Sequence, residues 1–268
     1  MKEKLEVMIK KSAFLYRIVK AFYCFYMILI SPFQYKVKMV LKQPYFGRYL
    51  NAGQTCDTRR QVMTDLINRE LLGGMPYKIL EIGSWAGQSA ILWATACKKN
   101  DKGMVFVIDT WQASENAPKG MKRGVKNNRI FNLFLHNIES SGVNDYIIPI
   151  KGSSDTIAEI LKPNSFDFIY IDGDHRYTQC KKDLLNYMKV LKINGIISGD
   201  DLELHPNEID IINAKNRCEE DYILDPKTQI NFHPGVAIAI NEVFGDVSMK
   251  NGFWAMRKVK DGWESVVL

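Results

Sequence analysis

The sequence lacks the features that would mark an exported, disulfide-bonded or membrane-spanning protein. Its five cysteines, Cys24, Cys56, Cys97, Cys180 and Cys218, are odd in number, scattered and never in C-x-x-C spacing. That pattern excludes a disulfide framework and a zinc knuckle and fits a reducing cytoplasm. The uninterrupted apolar run, Ala21 to Ile30, follows closely on Arg17 and Lys20. It falls short of the roughly 20 apolar residues that a spanning helix needs, so spanning would be strained. No small-residue cleavage site follows the run and the basic stretch before it is long, so no export is expected. The G-x-G-x-x-G spacing of dinucleotide folds is missing, as are internal repeats and low-complexity segments.

Charge of one sign is absent from most of the chain. The net charge is +6 over 268 residues, but residues 1–48 hold ten Lys and Arg against Glu3 and Glu6. This segment carries +8 and leaves −2 for the remainder, so the main body is not basic and no nucleic-acid partner is expected. Within it, Ser12 to Phe33 is apolar on nearly every face, aromatic-rich and flanked by lysines before Pro32. Such a helix either lies in the interface of an anionic bilayer or packs against the domain or a second subunit. The expected organisation is a helical segment over 1–50 and a catalytic-type domain over 51–268. The place would be the cytoplasm, with peripheral contact on the inner face of the membrane through 12–33.

From Asp57 the pattern becomes regular. A helix starting at Asp57 runs to about Leu72, where Gly73, Gly74 and Pro76 break it. Short apolar runs at 78–82, 104–108, 146–150, 166–171 and 195–198 read as buried parallel strands, separated by helices such as 86–98 and 179–191. This is a doubly wound α/β architecture. After a helix near 235–244, segments 246–250 and 253–259 flank Asn251-Gly252, a hairpin signal that gives an antiparallel end to the sheet.

In such sheets ligands bind beyond the carboxyl ends of the strands, so the turns there carry the chemistry. Glu81-Ile-Gly-Ser-Trp-Ala-Gly87 places Gly83 and Gly87 where backbone can approach a ligand at a helix start, although a glycine pair is often only structural. Asp109 ends the next strand and can accept both hydroxyls of a ribose. Trp111 offers an aromatic surface or simple packing. Gly152 and Ser153 either approach an adenine edge or cap a helix. Asp172, Asp174 and His175 meet Asp200 and Asp201 at two strand ends that are expected to be adjacent. A hard divalent cation held by Asp172, Asp200 and Asp201 would relieve that crowding, and a capping role for one aspartate is the alternative.

These residues resemble the class I S-adenosylmethionine-dependent methyltransferases, in particular small-molecule and sugar O-methyltransferases and the cephalosporin-biosynthesis methyltransferase-like proteins. The shared pattern is E-I-G-x-x-x-G at 81–87, I-D-T-W at 108–111, I-D-G-D-H-x-Y at 171–177 and G-D-D at 199–201, within Lys78 to Lys258. The resemblance implies a seven-stranded, mostly parallel Rossmann-like sheet with a C-terminal antiparallel hairpin. It implies S-adenosylmethionine held by Glu81, Gly83, Ser84, Gly87, Asp109, Thr110, Trp111, Gly152, Ser153 and Asp172. It further implies Mg²⁺ on Asp172, Asp200 and Asp201, and a hydroxyl of a sugar, glycan or other small molecule as methyl acceptor. The lysine that such enzymes use as base is replaced by His175, which at its unperturbed pKa of roughly 6.5 is largely neutral at pH 7. The base is thus His175 or Asp172, with His233 in reserve. The alternatives are a nucleotide-dependent oxidoreductase and a membrane-attached binding protein without turnover.

Overall fold

The computed structural model describes residues 22, 26–53, 56–71, 77–113, 117 and 119–268. The expected helix break at Gly73, Gly74 and Pro76, and most of the apolar segment 12–33, lie outside these residues. The first helices, α1 (Ser31–Val40) and α2 (Asp57–Leu71), precede an alternating series. It runs β1 (Lys78–Ile82), α3 (Gln88–Lys99), β2 (Met104–Asp109), α4 (Lys119–Val125), α5 (Arg129–Ser140), β3 (Ile147–Lys151), α6 (Ser154–Ile160), β4 (Phe166–Ile171), α7 (Tyr177–Val190) and β5 (Leu191–Gly199). The chain then changes character with α8 (Ile211–Asn216), β6 (Ile223–Leu224), β7 (Asn231–Phe232), α9 (Pro234–Phe244), β8 (Met249–Lys250), β9 (Phe253–Val259) and β10 (Gly262–Ser265).

The strands lie in the order β10-β9-β5-β4-β1-β2-β3, with β8 also paired to β9. Strands β1 to β5 are mutually parallel, and β9 enters antiparallel to β5. Chain direction across the sheet reverses between β1 and β4, which opens the crevice at their carboxyl ends. Apolar runs such as Ile79-Leu80 and Ile169-Tyr170-Ile171 are buried on both sides, as a sheet covered by helices requires. One core layer packs α2, α3 and α5 on the sheet and the other packs α7 and α9. Helix α5 shows why: Ile130, Leu133, Phe134 and Ile138 fall on one stripe and are all buried. Tyr45, Leu50 and Ala52 also enter the first layer, so the packed core begins before residue 51.

The expected C-terminal hairpin is present in a shortened form and is followed by one strand more. Asn251 (φ 56°) and Gly252 (φ 84°) make the tight turn, but β8 is only two residues long. A further strand, β10, follows and pairs antiparallel with β9. Since β5 holds one edge of β9, β8 and β10 share the other end to end. Gly262-Trp-Glu-Ser265 is mostly exposed and shows no buried alternation, which hides it as a strand in the sequence. The fifth strand is also longer than the apolar run: Lys192 and Asn194 (φ 67°) bulge out, and pairing resumes at Ile196.

Candidate functional site

The turn after β1 is held from behind. Gly83 (φ +81°) packs so closely on the turn after β4 that a Cβ would stand 2.1 Å from the Asp172 carbonyl oxygen. Gly87 (φ +85°) faces Phe134, 2.9 Å from where its Cβ would be. Both glycines therefore serve backbone and core packing, and their close approach is to this chain. Glu81 is fully buried beneath the turn, and its Oε1 accepts from Ser89 Oγ at 2.9 Å. Its Oε2 and the nearby Ser84 Oγ are buried without hydrogen-bond partners, a polar gap of the kind a ligand can fill.

Burial pushes the Glu81 carboxyl up to about 8 from 4.5, so it is protonated at neutral pH. The folded state thus keeps a proton that the unfolded chain loses near 4.5, and stability falls as pH rises from there toward 8. Glu81→Gln, which cannot ionise, is expected to remove that decline. Urea unfolding at about pH 5 and about pH 9 should show the variant gaining on the wild type by up to about 5 kcal/mol. A pH-independent difference would refute the assignment.

Asp109 at the end of β2 ties two turns together. Its Oδ2 accepts from the amides of Ser84 (2.9 Å) and Trp85 (2.8 Å), and its Oδ1 from the amide of Trp111 (2.6 Å). Trp85 (φ 47°) and Trp111 (φ 48°) both hold left-handed backbone, which costs about 1–3 kcal/mol at a non-glycine residue. Of the two expectations for Trp111, packing is what the structure shows. Its ring is 2 % exposed, lies 4.5 Å from Phe131 and 5.1 Å from Phe134, and donates through Nε1 to the Trp85 carbonyl at 3.0 Å. Thr110 is exposed beside it. After β3, Ser153 caps α6 by accepting from the Thr156 amide at 3.2 Å, and Gly152 leaves room for Ile157.

The aspartates meet at adjacent strand ends as expected, since Ile171 of β4 pairs with Gly199 of β5. They are not alone there. Arg59 of α2 forms an ion pair with Asp200 and a longer one, 3.4 Å, with Asp201, and donates to the Asn251 carbonyl at 2.8 Å. The Tyr170 hydroxyl lies within hydrogen-bond distance of both Asp172 (3.3 Å) and Asp200 (3.2 Å) and donates its one hydrogen between them. Burial, with Asp201 and Asp172 alongside, raises the Asp200 carboxyl well above the usual range against the pull of Arg59. Nothing in the spacing of Asp57-Thr-Arg59 marks this residue, because it reaches the site from a helix preceding the strand series.

His175 is brought to the same place, with Nε2 3.1 Å from Asp201 Oδ2 and 3.9 Å from Asp172 Oδ1, and Nδ1 2.9 Å from Asp221. Burial alone would favour the neutral ring, but Asp172, Asp221 and Asp201 outweigh it and hold its pKa well above the usual value. The expectation of a largely neutral imidazole is thus corrected. His233, distant in sequence, stands edge to face against His175 with ring centroids 4.5 Å apart, its Nδ1 2.9 Å from Glu203. The approach depends on Gly235, where a Cβ would lie 2.4 Å from the His175 carbonyl oxygen. Asp221 and Glu203 carried no motif and were not foreseen.

Residues 80–202, somewhat under half of the chain, match the methyltransferase domain family. No curated protein matches the sequence. Among solved structures, the O-methyltransferase NovP is 14% identical over 76% of this chain and 80% of its own, with a TM-score of 0.53. The O-methyltransferase from Bacillus cereus in complex with SAH is 18% identical over 88% and 96%, with a TM-score of 0.50. TomG from Streptomyces achromogenes, an O-methyltransferase in complex with SAM, is 13% identical over 78% and 82%, also at 0.50. The turns after β1, β2, β3, β4 and β5 all fall inside the matched segment. Over residues 80–202 the chain is therefore similar to the methyltransferase domain family, and it shares the fold of these O-methyltransferases, as the resemblance in its motifs implied.

Proposed function

We propose that the protein transfers a methyl group from S-adenosylmethionine to a hydroxyl of a sugar or other small molecule. The observation that carries this reading is the juxtaposition, at the reversal of strand order, of the Asp109-tied turns with the histidine and aspartate cluster on β4 and β5. The unpartnered Glu81 Oε2 and Ser84 Oγ fit the polar end of the cofactor, and Asp109 keeps lone pairs for ribose hydroxyls. Gly83, Gly87, Thr110, Trp111, Gly152, Ser153 and Asp172 frame the same crevice, with Trp111 acting through the turn it anchors. When bound, the cofactor supplies an electrophilic methyl group on sulfur.

The chain's own part is to orient the acceptor, which can contribute roughly 7–11 kcal/mol, and to take its proton. His175 holds a proton of its own in this arrangement, so the base role falls to Asp172, with His233 as reserve. Tyr222, about half exposed and 4.7 Å from the His233 ring, offers a flat apolar face suited to a sugar ring. The three-aspartate set does not fit Mg²⁺ as it stands. Arg59 already pairs with Asp200 and reaches Asp201 at 3.4 Å, so a guanidinium stands at two of the three carboxylates.

Incubating the protein with methyl-labelled S-adenosylmethionine and a panel of glycosides and phenols tests the reading. Label transfer to a hydroxyl is expected; cofactor binding without transfer to any acceptor would favour a binding role. No described helix is long and apolar enough to cross a membrane. Phe22, Leu29 and Phe33 are nonetheless exposed next to the basic segment, which supports peripheral contact with an anionic bilayer through 12–33. Co-sedimentation with anionic vesicles should be lost on removing residues 1–30, which keeps the buried Ser31 and Tyr45 in place; salt-resistant dimers instead would point to a second copy of the chain.

A further inference from the structure

We infer that His175, Asp201 and His233 form a site for one borderline divalent cation of the zinc, cobalt or ferrous class, held by two imidazole nitrogens and one carboxylate oxygen. This goes beyond the methyl-transfer reading: it concerns a different metal class and draws two histidine donors from outside the three-aspartate set, of which only Asp201 takes part. One ring nitrogen of each histidine and one oxygen of Asp201 lie within 4.8 Å of one another. Each imidazole is pinned through Nδ1 by a carboxylate, His175 by Asp221 and His233 by Glu203, both at 2.9 Å. Such outer carboxylates fix the tautomer and leave Nε2 as the ligating atom.

The second observation is Nε2 of His175. It is buried and makes no hydrogen bond, although Asp201 Oδ2 is 3.1 Å away. The two atoms sit side by side rather than as donor and acceptor. Two ligands each about 2.1 Å from one zinc-like ion stand roughly 3.0–3.4 Å apart, which is this spacing.

Charge points the same way. Arg59 pairs with Asp200 and touches Asp201 more loosely, while Asp172, Asp201, Asp221 and Glu203 all face the two rings. A dication would balance several of those carboxylates at once. Two nitrogen donors select Zn²⁺, Co²⁺ or Fe²⁺ over Mg²⁺ and Ca²⁺, which prefer all-oxygen sets.

The test is a titration of the tag-free, metal-stripped full chain with Co²⁺ alone, read by its visible ligand-field absorption. One equivalent is expected to bind, and His233→Ala or His175→Ala should weaken binding at least about a hundredfold. Asp221→Asn and Glu203→Gln, which leave the three donors in place, should weaken it roughly tenfold to a hundredfold. The double variant His136→Ala, His205→Ala, which removes the chain's other two histidines, should bind as the wild type does. Melting curves identify any variant that fails to fold, and the two carboxylate variants then decide. Absence of Co²⁺ binding at about millimolar concentration, or binding unchanged by His233→Ala and Glu203→Gln, overturns the proposal. A parallel titration of the metal-stripped protein with S-adenosylmethionine separates this outcome from failure of the methyltransferase reading.

Discussion

Asp109→Ala is expected to weaken S-adenosylmethionine binding by more than about a hundredfold, or about 2.7 kcal/mol, and to lower the melting temperature as well. The aspartate does two things at once. Facing the crevice, it is the group proposed to take the ribose hydroxyls. Facing inward, it accepts from the amides of Ser84, Trp85 and Trp111, and so holds the turns after β1 and β2 in register. Removing it orphans three part-buried donors, each worth about 1–3 kcal/mol, and releases two tryptophans from left-handed backbone. Asp109→Asn keeps the shape but only one acceptor oxygen, so it should fall between the alanine variant and the wild type. Calorimetric titration together with thermal melting separates the two roles. A variant that melts early yet binds the cofactor as the wild type does would sink the ribose assignment and leave only the structural one.

Arg59→Met is the second large expected effect. The guanidinium side chain is 13% exposed and its partner Asp200 3% exposed, so the substitution strips a buried carboxylate of its guanidinium partner. Breaking a buried pair by removing one partner costs about 3–5 kcal/mol, which for a chain of this size corresponds to a melting point roughly 6–20 °C lower. The loss should grow as pH rises, because the ionised carboxylates are what Arg59 stabilises and Asp200 can shed part of the cost by keeping a proton. Adding Asp200→Asn to the variant should recover much of the stability, and that non-additivity is the signature of the pair. The same substitution frees oxygen ligands, so millimolar Mg²⁺ should raise the melting point of Arg59→Met and leave the wild type unmoved. Equal stabilisation of both proteins would mean that Arg59 does not hold the place of a hard cation.

Much of this molecule is decided locally, and those parts could be read directly. Lys78–Ile82 and Phe166–Ile171 are strands because a short run of branched and aromatic residues can be buried on both faces, and both have the bounds the apolar pattern implied. Asn251-Gly252 makes its tight turn for equally local reasons, since both residues tolerate positive φ. The elements that were missed lack that local determination. β10 exists because β9 has an unpaired edge, not because Gly262-Trp-Glu-Ser265 favours a strand. The start of β5 is a bulge at which its pairing with β4 shifts register.

The candidate site divides along the same line. Asp109, Asp172, His175, Asp200 and Asp201 are visible in the sequence because strand ends in a doubly wound sheet must converge. What those side chains do there depends on partners from elsewhere: Arg59 from α2, Asp221 and Glu203 from the segment after β5, and His233 at the start of α9. The sequence alone determined the α/β class, the turns that face the crevice and the carboxylate identity of its floor, since each follows from periodicity and short-range spacing. The tertiary structure alone decided that Trp111 is core, that Gly83 answers to Asp172, that Arg59 sits on the acidic pair and that two histidines 58 residues apart share one carboxylate environment. Those outcomes depend on packing between distant elements, and a side chain's protonation and partners are set by the field of whatever packing brings beside it.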